Sequence, residues 1–434
     1  MTDNIEYSKE MISCGIDFGT SNSVCSLAQN GTITMVPVEN GHDTIPSALF
    51  FARSGNILMG RAAIEAYRAR EEGRLMRGLK SVLGTALMGE RTLINTKSVA
   101  FEDILKIFLR HIKAQAEQAA QAPLTHVVMG RPVHFHDENP EADQRSEDTL
   151  RRVAQDIGFT DIIFQYEPVA AAYAHEKNLS REQIAIVADF GGGTSDFTIM
   201  RLSGPGPQQP RDQAALNNNI LATGGIRVGG NNFDRRLSLK SFMPSLGLGS
   251  TLRDSFDADK ILPMPQQVYF DLADWPRVNH AQTHKAILQS RKILPYADEP
   301  DKISDLITLQ EEGLGHFFLQ EVEQTKIALS DQDRIKSHFT EGHLDIAVTV
   351  KRPQFEAAIK QETQKINAAL KDCLQQAGVK AQEIEMVILT GGSSQLPAIH
   401  HTLTALFPQA HFSQENRFAS VGLGLGYMAD ALFA

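Results

Sequence analysis

Hydrophobic residues along the chain predict short strands that alternate with amphipathic helices. The β-prone runs "MISCGIDF", "VCSLAQ" and "TITMVPV" are separated by a glycine turn and by Asn30-Gly31, a strong hairpin signal. The same plan returns in "AIVADF" and "GGGTSDFTIMRLSG". Between the two hairpins, apolar residues recur at helical spacing from Phe101 until Pro123 ends the pattern. The chain therefore opens each half with an antiparallel hairpin and continues with helices.

Later segments extend this alternation of strands and helices. The sequence predicts strands in "THVVMGRPV", "IIFQYEP" and "EMVILT", and helices in "DTLRRVAQDIGF", "VAAAYAHEKN" and "VGLGLGYMADALFA". "HAQTHKAILQSRKIL" has the spacing of one amphipathic helix, and Pro397 stands in the first turn of another. The pattern indicates an α/β architecture whose strands deliver residues to a cleft.

Composition and charge exclude several classes of protein. With 42% hydrophobic and 22% charged residues, the chain of 434 residues can build substantial cores, and its net charge of −10 disfavours nucleic acid or an anionic membrane as partner. Cys14, Cys25 and Cys373 form no metal or disulfide spacing, so we expect buried free thiols. The polar start and the absence of a long apolar run predict a cytoplasmic protein.

Two Asp-Phe-Gly turns carry the candidate chemistry. In "GIDFGTSNS" and "VADFGGGTSD" the carboxylates of Asp17 and Asp189 end a strand, and the turn that follows exposes backbone N–H groups that can cradle phosphate. A Cβ would block this approach, which explains the four glycines of the turns, namely Gly19, Gly191, Gly192 and Gly193. One such turn is more often a plain hairpin. Two copies and a later Gly-Gly-Ser-Ser turn predict a shared Mg²⁺ triphosphate site.

The order of the motifs resembles the actin-like ATPase superfamily, and within it the nucleotide-binding domain of the 70-kilodalton heat-shock chaperones (DnaK family). The five matching segments are "GIDFGTSNS", "YEPVAAAYA", "VADFGGGTSD", "LTGGSSQLP" and "VGLGLGYMA". The resemblance is greatest to short, YegD-type members. It implies two ribonuclease-H-like lobes with inserted subdomains around a central nucleotide cleft.

The resemblance also implies roles for individual residues. Asp17 and Asp189 correspond to the carboxylates around magnesium, and Lys80, Glu167, Asp189 and Thr194 to the catalytic set. The residues implied to bind ATP or ADP are Gly19, Thr20, Ser21, Asn22, Gly191, Gly192, Gly193, Gly229, Gly230, Glu323, Lys326, Ile327, Gly391, Gly392, Ser393 and Gln395. Asp196 resembles a residue linked to K⁺.

Some of these residues also have an ordinary structural explanation that involves no ligand. Taken alone, Lys80 would be a solvated surface lysine and Asp196 an exposed carboxylate at a strand end. Glu323 and Lys326 are three residues apart and could form a surface ion pair instead of holding the ribose.

Two positions depart from the family's pattern. Gln395 and Ile327 stand where family members often carry arginines, so the cation–π contact with adenine is missing. We therefore expect adenine to be held by packing, and less tightly.

The resemblance divides the chain into 1–184 (first lobe), 185–412 (second lobe, with an enlarged inserted subdomain at about 235–322) and 413–434 (a helix returning to the first lobe). It implies no peptide-binding domain.

Several functions agree with this sequence. The first is an ATP-binding, slowly hydrolysing Mg²⁺-dependent chaperone-like switch, monomeric, whose inserted subdomain binds a protein client or co-factor protein. Alternatives are an actin-like filament protein, a nucleotide sensor or scaffold that only binds, and, least favoured, a sugar or metabolite kinase.

Overall fold

The fold contains two similar mixed sheets, each surrounded by helices. The structure, a computed structural model, describes residues 12–136, 139–176, 179–202, 219–254, 257, 259–275, 277–413 and 420–433. Its strands are Ser13–Phe18, Asn22–Gln29, Thr32–Met35, Thr44–Pro46, Ala48–Ala52, Ile57–Met59, Gly73–Arg77, Arg91–Ile94, Lys97–Ala100, His126–Arg131, Asp161–Tyr166, Gln183–Phe190, Ser195–Leu202, Ile220–Ile226, Thr251–Arg253, Ile261–Pro263, Arg334–Glu341, Leu344–Lys351, Met386–Thr390 and His411–Phe412. Its α-helices are Gly60–Arg68, Phe101–Ala120, Pro140–Asp156, Glu167–Glu176, Gly230–Leu237, Gln267–Leu272, Val278–Ala281, His284–Ile293, Pro300–Glu311, Gly315–Ala328, Arg352–Ala358, Lys360–Ala377, Pro397–Leu406 and Ser420–Phe433.

The two large sheets share one strand plan. In the first, Ser13–Phe18 pairs antiparallel with Asn22–Gln29 and parallel with His126–Arg131. In the second, Gln183–Phe190 pairs antiparallel with Ser195–Leu202 and parallel with Met386–Thr390. The predicted α/β class with two like lobes is therefore confirmed. We call the parts built on these sheets the first and the second lobe.

Local signals explain where several elements begin and end. Asn30 and Gly31 both have positive φ, at 55° and 70°, as the predicted hairpin requires. The helix that begins at Phe101 ends at Ala120, where Gln121 adopts a left-handed conformation before Pro123.

Two predicted helices have different boundaries. The region 280–294 is not one helix, because Val278–Ala281 ends and His284–Ile293 begins anew, with Thr283 as N-cap accepting from the Ala286 N–H at 3.4 Å. The helix predicted from Asp148 starts earlier, at Pro140, after the Asn139 cap. The predicted loop at 203–210 lies outside the described residues.

Small residues make one of the contacts between the two lobes. The helices Glu167–Glu176 and Ser420–Phe433 pack against each other and against both sheets through a core rich in alanine and valine. A Cβ on Gly424 would collide with the Ala170 carbonyl, and one on Gly15 would lie 2.6 Å from Leu425. This close crossing fixes the helix that presents Glu167.

Two further sequence predictions concern the cysteines and membrane spans. Cys14, Cys25 and Cys373 are buried free thiols, as predicted. Among the helices that the structure describes, none combines the length and the apolar character needed to cross a bilayer.

Candidate functional site

The first turn follows the strand that carries Asp17. Gly19 lies so close to the Asn22 carbonyl that a Cβ would collide with it. Ser47 fixes this turn twice, because its N–H donates to the Ser21 carbonyl at 2.8 Å and its hydroxyl donates to the Gly19 carbonyl at 2.7 Å. Since the C=O and N–H of one trans peptide point in opposite directions, the following N–H groups face away from Ser47. Thr20 and Ser21 are exposed.

The second turn is fastened in the same manner to a helix. The Gly191 carbonyl accepts from the Gly230 N–H at 2.9 Å, and the Gly192 carbonyl accepts from the Asn231 N–H at 2.7 Å. A Cβ on Gly229 would lie 2.7 Å from the Gly191 carbonyl oxygen, so this position needs glycine. The amides of Gly192 and Gly193 therefore point away from the helix that begins at Gly230.

The third turn, Gly391–Gln395, touches the second at its aspartate. Gly391 has φ of +76°, and a Cβ there would lie 2.6 Å from Asp189 Oδ1. Thr390 donates a hydrogen bond to the Asp189 carboxylate. Ser393 approaches the second turn as well, because a Cβ on Gly230 would lie 2.7 Å from its hydroxyl oxygen. Glycines from three separate parts of the chain thus meet at the second turn.

Lys80 and Glu167 form an ion pair inside the cleft. The Lys80 Nζ lies 2.6 Å from Glu167 Oε1, and the two side chains are only 10% and 16% exposed. Glu167 is the first residue of its helix, while Lys80 sits in the short 3₁₀ turn Leu79–Val82. Burial lowers the pKa of Lys80, but Glu167, Asp17 and Asp189 outweigh it, so the pKa rises above its usual 10.5. Lys80 is therefore a buried cation and not a solvated surface lysine.

The two aspartates carry raised pKa values. Burial, with the nearby charges of Glu167 and Asp189, raises the pKa of Asp17 to about 7, although Lys80 opposes this. Burial, with Glu167 and Asp196, raises the pKa of Asp189 to about 7 against the opposing effects of Thr390 and Lys80. Three carboxylates thus share one lysine, and the site has an excess of negative charge.

This excess fits a bound cation. Asp17 Oδ1 is buried and has no hydrogen-bond partner. Within the described ranges, no three His, Cys, Asp or Glu side chains meet closely enough to form a direct metal cluster. Mg²⁺ commonly binds to one or two carboxylates, and water and phosphate oxygens fill its remaining coordination positions. Asp17 and Asp189 are the residues that could hold it.

Thr194 and Asp196 contact each other. The Thr194 hydroxyl donates to Asp196 Oδ2 at 2.7 Å on the exposed side of the second turn. Asp196 is exposed, at the start of the strand Ser195–Leu202. The candidate hydroxyl is thus directed to the carboxylate that resembles a K⁺-linked residue.

Lys326 pairs with Asp234 and not with Glu323, the residue three positions before it. Its Nζ lies 2.8 Å from Asp234 Oδ1, and it donates to the Gly230 carbonyl at 3.4 Å. The surface ion pair with Glu323 is therefore not formed, since Lys326 is buried and paired with Asp234. Burial raises the pKa of Asp234 to about 6, against the opposing charge of Lys326.

The candidate base-contacting residues remain at the surface. Ile327 is 48% exposed, and Gln395 and Gly392 are exposed on the third turn. Glu323 is half-buried. The structure gathers the phosphate-type turns and the carboxylates closely, and leaves the residues predicted for the base open to solvent.

A cavity of about 380 Å³ between the lobes reaches the carboxylates. Glu167 and Asp189 line it, with His134 from the first lobe and Thr198 and Thr223 from the second. A small, polar ligand group can therefore reach the two acids from between the sheets.

Three residues of the site escaped the sequence analysis. The first turn is anchored by Ser47, the Asp189 carboxylate by Thr390, and the Lys326 ammonium by Asp234. Thr390 directly precedes the Gly391-Gly392 pair and Asp234 follows Gly230 by four residues, so both had a local signal. Ser47 had none, because its contact depends on the pairing of Thr44–Pro46 with Asn22–Gln29.

Fold and site together define a two-lobed, actin-like α/β protein with a polar cleft between its sheets. The family model described as Hsp70 protein matches residues 13–242 and 307–432. Because this match covers most of the chain, the chain belongs to the Hsp70 family.

Two curated relatives extend this comparison. The chain is 23% identical over 433 residues to the chaperone protein DnaK of Thermosipho melanesiensis, covering 98% of this chain and 60% of that protein. It is 24% identical over 439 residues to a chaperone protein HscA homolog of Variovorax paradoxus, covering 97% of this chain and 58% of that protein. The chain thus spans less than two thirds of the length of either relative.

Proposed function

We propose that this protein binds ATP with Mg²⁺, hydrolyses it slowly and uses the cycle to open and close its lobes, as a YegD-type member of the Hsp70 family. The observation that carries the proposal is the meeting of Asp17, Glu167 and Asp189 around one buried lysine, Lys80, contributed by both halves of the chain. Phosphoryl transfer needs positioning and charge stabilisation more than covalent chemistry, and this set of residues offers both.

Each part of the site has a task in this mechanism. Backbone N–H groups of the first and second turns bind the phosphate oxygens, because their carbonyls are engaged by Ser47 and by the helix that begins at Gly230. Asp17 and Asp189 would hold Mg²⁺, which supplies positive charge to the transferring phosphate.

The Lys80–Glu167 pair acts on the nucleophile. Glu167 and Asp189 line the same cavity. A water that attacks the phosphate from this cavity lies within reach of the Glu167 carboxylate, which accepts its proton. Lys80 stabilises the charge that develops on the phosphate oxygens and holds Glu167 in place at 2.6 Å. Because Lys80 orients the transferring phosphate and the nucleophile for attack, its loss should slow hydrolysis more than it weakens ATP binding.

The nucleoside end is bound more weakly in this proposal. Glu323 and Lys326 hold the ribose, and Ile327 and Gln395 pack on adenine without a guanidinium. Asp196 and Thr194 would hold a K⁺ ion, which would support the turn. The protein is proposed to be a cytoplasmic monomer that binds a client or co-factor protein through residues of about 235–322.

Single-turnover hydrolysis tests the proposal. We expect wild type with Mg²⁺ and K⁺ to bind and hydrolyse ATP, and Lys80→Ala to bind it but hydrolyse at least about tenfold more slowly. Lys371→Ala removes an exposed lysine from the helix Lys360–Ala377 and serves as the control.

Other outcomes would overturn parts of the proposal. Binding without hydrolysis in wild type would make the protein a nucleotide sensor or scaffold. Sedimenting polymers on addition of ATP would support the actin-like filament. If no adenine nucleotide binds, the cofactor assignment is wrong.

A further inference from the structure

Aromatic side chains from both lobes meet away from the carboxylates. The Tyr67 and Phe317 rings stack with centroids 5.2 Å apart and planes 6° apart, and Tyr67 also meets the edge of His316 at 6.3 Å. Trp275 also stacks with His316, with ring centroids 6.0 Å apart, and the Arg77 guanidinium lies 5.8 Å from the centroid of the Trp275 ring. We call these five residues the aromatic clasp.

The clasp joins parts of the molecule that must separate if the cleft opens. Tyr67 and Arg77 belong to the small sheet and helix (Gly60–Arg68, Gly73–Arg77) attached to the first lobe, while Trp275, His316 and Phe317 belong to the second. A hydrogen bond from Arg68 to Gln320, at 3.0 Å, lies beside it. Opening the cleft therefore breaks ring contacts that stabilise the closed arrangement beyond the area that they bury.

Both sides of the clasp are connected to the nucleotide site. Arg77 stands three residues before Lys80. Phe317 and Lys326 lie on the same helix, nine residues and therefore about 13 Å apart along its axis. The indole of Trp275 donates to Asp234, which pairs with Lys326. Lys326, Asp234 and Trp275 therefore form a continuous series of polar contacts.

Trp275 stands in a part of the chain that the family model does not match. Trp275 lies within residues 243–306, which the Hsp70 model leaves unmatched, in the segment predicted to be enlarged. Its contacts are a feature of this chain.

We propose that the aromatic clasp holds the lobes closed over bound nucleotide, and that Trp275 is a positioning residue which couples this closure to Lys326 through Asp234. The clasp then sets the rate at which ADP leaves. This inference rests on the proposed function for its ligand, but the closure itself can be measured without nucleotide.

The first experiment uses the single tryptophan of the chain as its probe. In nucleotide-free protein, acrylamide quenching of Trp275 fluorescence should increase in Tyr67→Ala and in Phe317→Ala, because the lobes separate and expose the indole. Tyr67→Phe keeps the ring and should behave as wild type. Tyr296→Ala removes a tyrosine that is 41% exposed and lies outside the clasp, and should have no effect. Unchanged quenching in both alanine variants would overturn the clasp.

The second experiment measures release of a fluorescently labelled ADP. We expect release about three- to tenfold faster from Tyr67→Ala and Phe317→Ala, the change that loss of one or two ring contacts gives. Trp275→Phe keeps a ring on His316 but loses the N–H donor to Asp234, so its rate should lie between wild type and Trp275→Ala. Equal rates in all folded variants, checked by circular dichroism, would refute the coupling. If wild type binds no ADP, the proposed function and the release claim both fail, and the quenching result still decides whether the clasp joins the lobes.

Discussion

Replacing Asp17 by asparagine should stabilise the nucleotide-free protein while damaging its cation site. The pKa of Asp17 is about 7 against an ordinary value of 3.8, because burial and the charges of Glu167 and Asp189 disfavour its ionised form. At pH 8 the folded protein must keep this carboxylate ionised, and each pH unit of the difference costs about 1.4 kcal/mol, which sets a ceiling of about 4 kcal/mol. Neighbouring charges and water relax around any one ionised group, so we expect asparagine to recover about 1–2 kcal/mol.

The pH dependence has a definite sign. Folding raises the pKa of Asp17, so its favourable contribution is complete below pH 3.8 and is lost as the pH rises through about 7. The advantage of Asp17→Asn over wild type should therefore be largest near pH 8 and shrink towards pH 5. Thermal unfolding should show it as a rise of about 1–2 °C at pH 8.

Differential scanning fluorimetry at several pH values, with and without Mg²⁺ and ADP, tests this prediction. Mg²⁺ with ADP should raise the melting temperature of wild type more than that of Asp17→Asn, because the variant has lost one carboxylate of the cation site. Asp372→Asn, an exposed aspartate in the helix Lys360–Ala377, should show neither effect. A variant that is less stable than wild type at pH 8, or equally stabilised at pH 5 and pH 8, would refute the electrostatic reasoning.

Three further predictions follow from the turns and the ion pair. Gly391→Ala should lower the free energy of unfolding in urea by at least about 2 kcal/mol, because a Cβ there meets Asp189 Oδ1. Gly378 also has a positive φ but faces open space, so Gly378→Ala should cost only about 1 kcal/mol. Equal costs for the two variants would contradict the collision. Glu167→Gln should slow single-turnover ATP hydrolysis at least about 100-fold while ATP still binds, and unchanged turnover would remove Glu167 from the mechanism. Gln395→Arg should tighten ADP binding about two- to fivefold in calorimetry by adding a cation–π contact, with binding of inorganic triphosphate as the control; tighter triphosphate binding would show a general charge effect instead.

Local sequence signals predicted the hairpins and the turns of the site. Asn30-Gly31, the two Asp-Phe-Gly turns and Pro397 act within a few residues, so their geometry could be inferred from the sequence alone. Of the four glycines predicted in these turns, Gly19 is explained by its close contact with the Asn22 carbonyl, whereas a Cβ on Gly193 would meet nothing within 4 Å.

Features that depend on distant parts of the chain could not be predicted. The pairing of Lys326 with Asp234 displaced the ion pair suggested by i,i+3 spacing, because burial favours the partner that compensates charge in the folded protein. The region 280–294 forms two helices because Thr283 caps the second one. The apolar pattern of the sequence continues through this cap, so the pattern alone predicted a single helix. The contact between Tyr67 and Phe317 links residues with no shared sequence pattern.

The packing of the last helix on the first strand also has a consequence for how the chain folds during synthesis. Gly15, two residues before Asp17, lies against Leu425, and Ser26 donates to the Gly422 carbonyl at 2.6 Å. These contacts have a very large sequence separation, and such contacts form slowly. The ribosome must therefore synthesise the chain as far as the helix Ser420–Phe433 before this helix can cover the strand that holds Asp17. Until then that part of the chain exposes apolar surface, which makes the growing protein prone to aggregation.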